Sequence, residues 1–206
     1  MNEPKWLEWT KKIQSISQAG LAYSKDMYDL ERFGMLRELS VEIMHHYTQA
    51  SHEQIRTLFA SEGGYATPKV DVRGVVFRDG KALFVKEKLD GAWSLPGGWA
   101  DVGLSPSEVA VKEVKEESGF DVEPVRLLAV LDKKFHRHPP SPWHTYKLFV
   151  LCAIVEGEAA QGMETSDVRF FGEDELPELS LERNTYEQVE RMFELYRDPG
   201  QPVWID

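Results

Sequence analysis

The run Lys112-Glu113-Val114-Lys115-Glu116-Glu117-Ser118-Gly119-Phe120 (KEVKEESGF, residues 112–120) places three glutamates within little more than one helical turn. At spacings of three and four residues, Glu113, Glu116 and Glu117 share one face of a helix. Like charges so spaced destabilise a helix by about 0.2–0.5 kcal/mol per pair. Either water solvates the stripe or a cation neutralises it. Ser105 is a good N-cap, Pro106 suits the first turn and Glu108 completes a capping box, while Gly119 suits the left-handed position after the last turn. The spacing predicts a helix from about 106 to 118, with Val109, Ala110 and Val114 on its buried side.

Just upstream, Pro96-Gly97-Gly98 lets the backbone turn tightly and approach another group closely. A loop with bare carbonyls that feeds a helix with three convergent carboxylates is an oxygen-rich cage. Oxygen donors select hard divalent cations, Mg²⁺ or Mn²⁺. Such ions keep positions open for phosphate oxygens, which points to phosphoryl or pyrophosphate chemistry.

Before this region the chain reads as helices. Trp6, Trp9, Ile13 and Ile16 recur at helical spacing, as do Tyr23, Met27, Leu30 and Phe33, and then Leu36, Leu39, Ile43, Met44 and Tyr47. Ser51 and Gln54 form a capping box for a short helix through Phe59. Gly63-Gly64 and Thr67-Pro68 mark the domain boundary, giving residues 1–66 as a helical domain and 67–206 as a second one. After the boundary, VDVRGVVF and KALFVK read as strands joined by a turn at Asp79-Gly80, TYKLFVLCAIV as a central strand and VRFFG as a shorter one. A last helix is expected over roughly 181–197. Strands mixed with two helices predict an α/β fold, a three-layer α/β/α sandwich with a mixed sheet.

Residues 1–66 carry 7 Lys+Arg against 9 Asp+Glu, and the remainder 17 against 26. The net charge of −11 argues against extended nucleic acid and anionic membrane as partners. The near-neutral helical part holds many large apolar residues and too few positions for a private core, so a homodimer built through residues 1–66 is expected. The one cysteine, Cys152, lies in an apolar run and reads as a core residue. The start, MNEPKWLEWTKK, has no apolar leader, and no apolar run reaches the ~18 residues of a membrane span; a cytoplasmic location is expected.

Gly98 and the segment Lys112–Phe120 stand at the spacing of the Nudix hydrolase signature, which the chain resembles. TPKVDVRGVVF, DGAWSLPGGWADVGLSPSE and HPPSPWHTYK, together with the helical first third, are similar to a Nudix subgroup with an N-terminal helical domain. Two positions depart from the pattern. Leu104 stands where the family has Glu, and Lys112 where it has Arg. The resemblance implies a metal-dependent pyrophosphohydrolase acting on a nucleoside diphosphate linked to a second moiety. It would have Glu113, Glu116, Glu117 and the Gly97 carbonyl on the metal and Glu113 or Glu164 as catalytic base. Glu156 and Glu158 compete with Glu164. The nearest likeness is to bacterial CDP-choline pyrophosphatases, giving CMP and phosphocholine. ADP-ribose is the alternative substrate, followed by RNA-end cleavage or an inactive nucleotide-binding module. Arg73 is expected at the substrate phosphates. The Pro-rich segment HPPSPWH is expected as a substrate-side lid, with His138, Trp143 and Trp99 at the substrate. Aromatic faces suit a quaternary ammonium, and Trp93 and Phe135 belong to the same aromatic group in sequence.

Overall fold

Cβ atoms alternate across Lys69–Arg78 (β1), and that alternation decides the architecture of the second domain. Val72, Gly74 and Val76 face one side, where Val109, Ala110 and Val114 of the helix Pro106–Ser118 (α4) pack on them. Each valine so buried contributes roughly 1.5–3 kcal/mol relative to an exposed one. A Cβ on Gly74 would lie 2.4 Å from a Val114 methyl, so only glycine lets α4 approach this closely. Val75 faces the other side, in a cluster with Phe84, Leu128, Phe149 and the Val189, Met192 and Phe193 side chains of the last helix, Tyr186–Arg197 (α5). These are the three expected layers.

The structure, a computed structural model, describes residues 3–206. The remaining strands are Lys81–Glu87 (β2), Trp93–Ser94 (β3), Gly97–Trp99 (β4), Phe120–Asp132 (β5), Thr145–Gly157 (β6), Thr165–Phe171 (β7) and Trp204–Ile205 (β8). They run in the order β3-β2-β1-β6-β5-β8, with β4 on β1 and β7 on β2. The β1–β6 and β5–β8 pairs are parallel and the others antiparallel, so the sheet is mixed. β1 and β2 turn at Asp79-Gly80, both at positive φ, as a two-residue hairpin demands.

Besides the short strands β3, β4 and β8, which the sequence reading lacks, two longer elements differ from it. The 13-residue β5 has no counterpart there, because Pro124 and the charges around it break the alternation. The strand absorbs them through three register shifts against β6, one of them beside Pro124. The last helix starts at Tyr186 instead of about 181, because Thr185 and Gln188 form its capping box and residues 181–184 turn before it.

The chain divides into two compact units. One holds residues 3–68 with Pro140–His144, the other Lys69–Pro139 with Thr145–Asp206. The helical unit consists of Lys5–Tyr23 (α1), Met27–Tyr47 (α2) and His52–Phe59 (α3). Asp26 caps α2 through Tyr28 and Asp29, and the Ser51–Gln54 box caps α3. Its small core is Leu7, Val41, Met44, Ile55 and Ala60. Gly20 packs against the Phe33 ring so closely that a Cβ would sit 2.4 Å from it. The periodic residues Trp9 and Ile16 do not face inward. α1 instead buries Leu7, Thr10, Gln14, Ser17 and Gln18.

Pro140–His144 groups with the helices, although the sequence reading makes it a lid of the second domain. Lys11 Nζ donates to the Ser141 carbonyl at 3.2 Å, and Trp143 Nε1 donates to the Leu58 carbonyl at 3.2 Å. Among the described residues no helix is long and apolar enough to cross a membrane.

Candidate active site

β4 lies antiparallel on β1, with Arg73 opposite Gly97 and Val72 opposite Gly98. This pairing brings the Pro96-Gly97-Gly98 loop against α4. Gly97 has φ 148°, and a Cβ there would lie 2.1 Å from the Val72 carbonyl oxygen, so glycine is required. A Cβ on Gly98 would lie 3.3 Å from the Glu113 carboxylate. The Gly97 N–H donates to Glu117 Oε2 at 2.9 Å. The loop and two of the three glutamates therefore meet, as the spacing predicts.

The third joins through Lys112. Its ammonium lies 2.9 Å from Glu116 and 3.4 Å from Glu113, with Asp101 at 3.5 Å. Where the family has an Arg–Glu pair, this chain has Leu104, and Lys112 turns to the helix carboxylates instead. A cation is thus already drawn between Glu113 and Glu116.

The carboxylates differ in setting. Glu117 is buried and Glu113 mostly so, whereas Glu116 is exposed. Burial raises Glu117 to about 7, against the opposing pull of Arg73 and the Gly97 N–H. Burial likewise raises Glu113. Desolvated carboxylates in contact with a glycine loop fit a divalent cation, which would supply the charge they lack. Among the described residues no three His, Cys, Asp or Glu side chains already stand in ligand geometry. The Gly97 N–H engages one oxygen of Glu117, whereas Glu116 is turned to Lys112 and would have to rotate to join a metal.

Arg73 is buried. Its Nε and Nη2 donate to Asp71, and Nη1 donates to the Leu95 carbonyl at 3.1 Å. Asp71 also pairs with Lys147 of β6. Burial alone would raise Asp71, but Arg73 and Lys147 outweigh it and hold the carboxyl far below its usual range. Burial lowers Lys147 to about 8. Asp71, Arg73 and Lys147 occupy buried positions of strands otherwise lined largely by Val, Leu and Phe. Inward charges on strands must be paired, and that signal was readable in the sequence.

Glu164 is exposed on a segment tied to the C-terminal end of α4. Ala160 N–H donates to Ser118 O at 2.9 Å, Thr165 Oγ1 donates to Glu117 O at 2.8 Å, and Lys88 N–H donates to Glu164 O at 2.9 Å. The backbone carrying Glu164 thus runs beside the glutamate helix. His138 is buried, with Nδ1 2.6 Å from the Leu181 carbonyl and Nε2 without a hydrogen-bond partner. Burial lowers it to about 3, so it is neutral near pH 7. Trp99, on β4, is half exposed. Trp143 is engaged within the helical unit, as described above. Trp93 packs in the core, its ring 4.9 Å from Phe171, and Phe135 lies under the Lys134 ammonium at 4.8 Å.

Comparison with known proteins accounts for both parts of the chain. The NUDIX domain family matches residues 67–193, and a family described as a UDP-X-like, N-terminal oligomerisation domain matches residues 4–59. The chain belongs to the Nudix hydrolase family. It is 51% identical over 204 residues to the Bacillus subtilis (strain 168) protein named "Putative ADP-ribose pyrophosphatase YjhB", covering 99% of this chain and 98% of that one. A crystal structure of an ADP-ribose pyrophosphatase from Streptococcus suis 89-1591 superposes with a TM-score of 0.63 at 44% identity, over 68% of this chain and all of the other. A crystal structure of a UDP-X diphosphatase covers both chains fully, with a TM-score of 0.64 at 32% identity.

Proposed function

We propose that this Nudix hydrolase splits the pyrophosphate bridge of a nucleoside diphosphate linked to a sugar or similar group, with ADP-ribose the favoured substrate. The observation that carries the reading is the meeting of the Gly97 loop with Glu113 and Glu117 beside Glu116. A divalent ion, Mg²⁺ or Mn²⁺, held by these glutamates and the Gly97 carbonyl would neutralise phosphate charge and lower the pKa of bound water. Water attacks one phosphorus, the bond from that phosphorus to the bridging oxygen breaks, and a nucleoside monophosphate and a phosphorylated second product leave. A glutamate takes the proton from the water. Glu164 is assigned this role, supported by the bonds that hold its segment beside α4; Glu113 is the alternative.

The names of the full-length Bacillus relative and the Streptococcus structure favour ADP-ribose. The CDP-choline reading comes from the likeness of the chain to that subgroup, with the aromatics as support, and of these Trp93 packs in the core against Phe171. Arg73 and His138 are kept as proposed substrate-side residues, although both are buried, Arg73 against Asp71 and the Leu95 carbonyl and His138 against the Leu181 carbonyl. A panel of ADP-ribose, UDP-sugars, CDP-choline and a nucleoside triphosphate, with Mg²⁺ and product identification, tests the assignment. AMP and ribose phosphate as the fastest-formed products are expected. Fastest turnover of CDP-choline would restore the choline reading, and release of inorganic phosphate or pyrophosphate from the triphosphate alone would overturn both.

The protein acts as a homodimer through its helical unit. The oligomerisation family matched by residues 4–59 supports this, as does the row of exposed apolar side chains on α1 and α2.

A further inference from the structure

The metal-binding loop is held in place peptide by peptide. Leu95, two residues before Gly97, is fully buried. Its N–H donates to Asn184 Oδ1 at 2.9 Å, and its carbonyl accepts from Arg73 Nη1 at 3.1 Å. Pro96 has no N–H, and its carbonyl accepts from Gly74 N–H at 2.8 Å. Gly97 N–H donates to Glu117 at 2.9 Å. With each of these groups engaged, the direction of the Gly97 carbonyl follows from its neighbours' bonds.

Asn184 is the member of this series that comes from a distant part of the chain. It lies in the turn before α5, where its own N–H donates to Ser180 O at 2.9 Å. Ser180 N–H donates to Trp93 O at 2.8 Å, and Trp93 N–H donates to Glu178 O at 2.9 Å. Residues 178–184 thus grip β3 immediately before the loop. Asn184 is fully buried, and its Nδ2 has no hydrogen-bond partner. An unpaired buried donor is a desolvation loss that an apolar residue of the same size would avoid. What the amide supplies in return is one acceptor, aimed at Leu95.

We infer that Asn184 is a positioning residue for the metal site, acting through the Leu95 peptide to aim the Gly97 carbonyl and the Gly97 N–H that orients Glu117. The inference rests on the metal-site reading above. Groups that orient metal ligands typically change metal affinity or activity about 10–100-fold when removed.

The test is Mn²⁺ binding to the full-length protein without substrate, followed by electron paramagnetic resonance, together with kcat and KM at saturating Mg²⁺. Asn184→Ala is expected to weaken Mn²⁺ binding and to lower kcat, each about 10-fold, with KM within about 3-fold of wild type. Asn184→Asp keeps the acceptor and is expected to bind Mn²⁺ within about 3-fold of wild type. Should the alanine variant fail to fold, Asn184→Leu fills the same space without an acceptor and carries the same expectation. Wild-type Mn²⁺ affinity in the alanine or leucine variant overturns the inference, as does an aspartate variant as weak as alanine. Glu116→Gln serves as the control. If it too leaves Mn²⁺ binding unchanged, the metal-site reading has failed; if it alone weakens binding, only the role of Asn184 has.

Discussion

On α1, Thr10, Gln14, Ser17 and Gln18 are buried while Trp9, Ile16 and Tyr23 are each more than half exposed. In the Nudix unit the arrangement is reversed. Val72, Val76, Val114, Phe84 and Phe149 are buried, and the charges that accompany them, Asp71, Arg73 and Lys147, pair with one another. The Nudix unit closes its own core from both faces of a sheet. The helical unit encloses a five-residue apolar cluster, and between α1 and α2 it places Ser40 beside Gln14. Its large apolar side chains continue outward along α2 through Met27, Tyr28, Met35 and Leu39. A cavity of about 760 Å³ on α2 and α3 is lined by Leu39, Ile43 and Tyr47 among polar neighbours. A helix whose apolar side faces water is stable only when something covers it. The difference separates a unit that closes its own core from one whose outward apolar face is proposed above to be covered by another copy.

The sharpest break of this comparison lies in the Nudix unit. Glu116→Gln and Glu117→Gln are each expected to lower kcat at least about 100-fold at saturating Mg²⁺, since loss of a proposed metal ligand would weaken charge stabilisation at the attacked phosphorus. Stability should be unchanged or higher, especially for Glu117→Gln, which removes a desolvated carboxyl. Steady-state kinetics alongside thermal melts would decide it, and near-full activity in either variant would remove that residue from the ligand set.

In the helical unit, Trp9→Asp combined with Ile16→Asp should weaken self-association by roughly 100-fold or more, given about 1.5–3 kcal/mol for each large apolar side chain buried. Sedimentation velocity at micromolar concentration would show a dimer giving way to a monomer. A wild-type chain that is already monomeric there would mean the outward apolar face serves something other than a second copy.

A smaller effect probes the buried polar groups of the Nudix unit. His138 is held well below its ordinary value, to about 3, by burial. Between about pH 6.5 and 3 the unfolded chain binds this proton and the folded protein does not, so stability falls as pH falls through that window. The slope from this one residue is at most about 1.4 kcal/mol per pH unit. Melts at pH 6.5 and 5.0 should show a larger loss in wild type than in His138→Gln; equal losses would mean that His138 titrates normally.

The smallest effect is expected on the surface. Lys112→Met removes ion pairs to Glu116 and Asp101 that are largely exposed, and should change stability by less than about 1 kcal/mol. A drop of several degrees in Tm would show that Lys112 substitutes structurally for the family's Arg–Glu pair.

The sequence alone determined what short-range rules can carry. Ser105, Pro106, Glu108 and Gly119 bound α4 at the predicted residues, because capping depends only on neighbours along the chain. The turn at Asp79-Gly80 followed from the need for positive φ, whereas periodicity put the three glutamates on one face without showing that Glu117 is buried on the Val114 side while Glu116 stays exposed. Tertiary structure decided the rest. β5 was hidden because Pro124 violates alternation and is tolerated only where β6 can slip register against it. The side of α1 that faces inward was hidden because Trp9 and Ile16 are as periodic as a core face, and periodicity does not tell a face packed within its own unit from one left exposed. The union of Leu95 with Asn184 and Arg73 had no local signal at all. A hydrogen bond across 89 positions exists only once the sheet has brought those strands and that turn together.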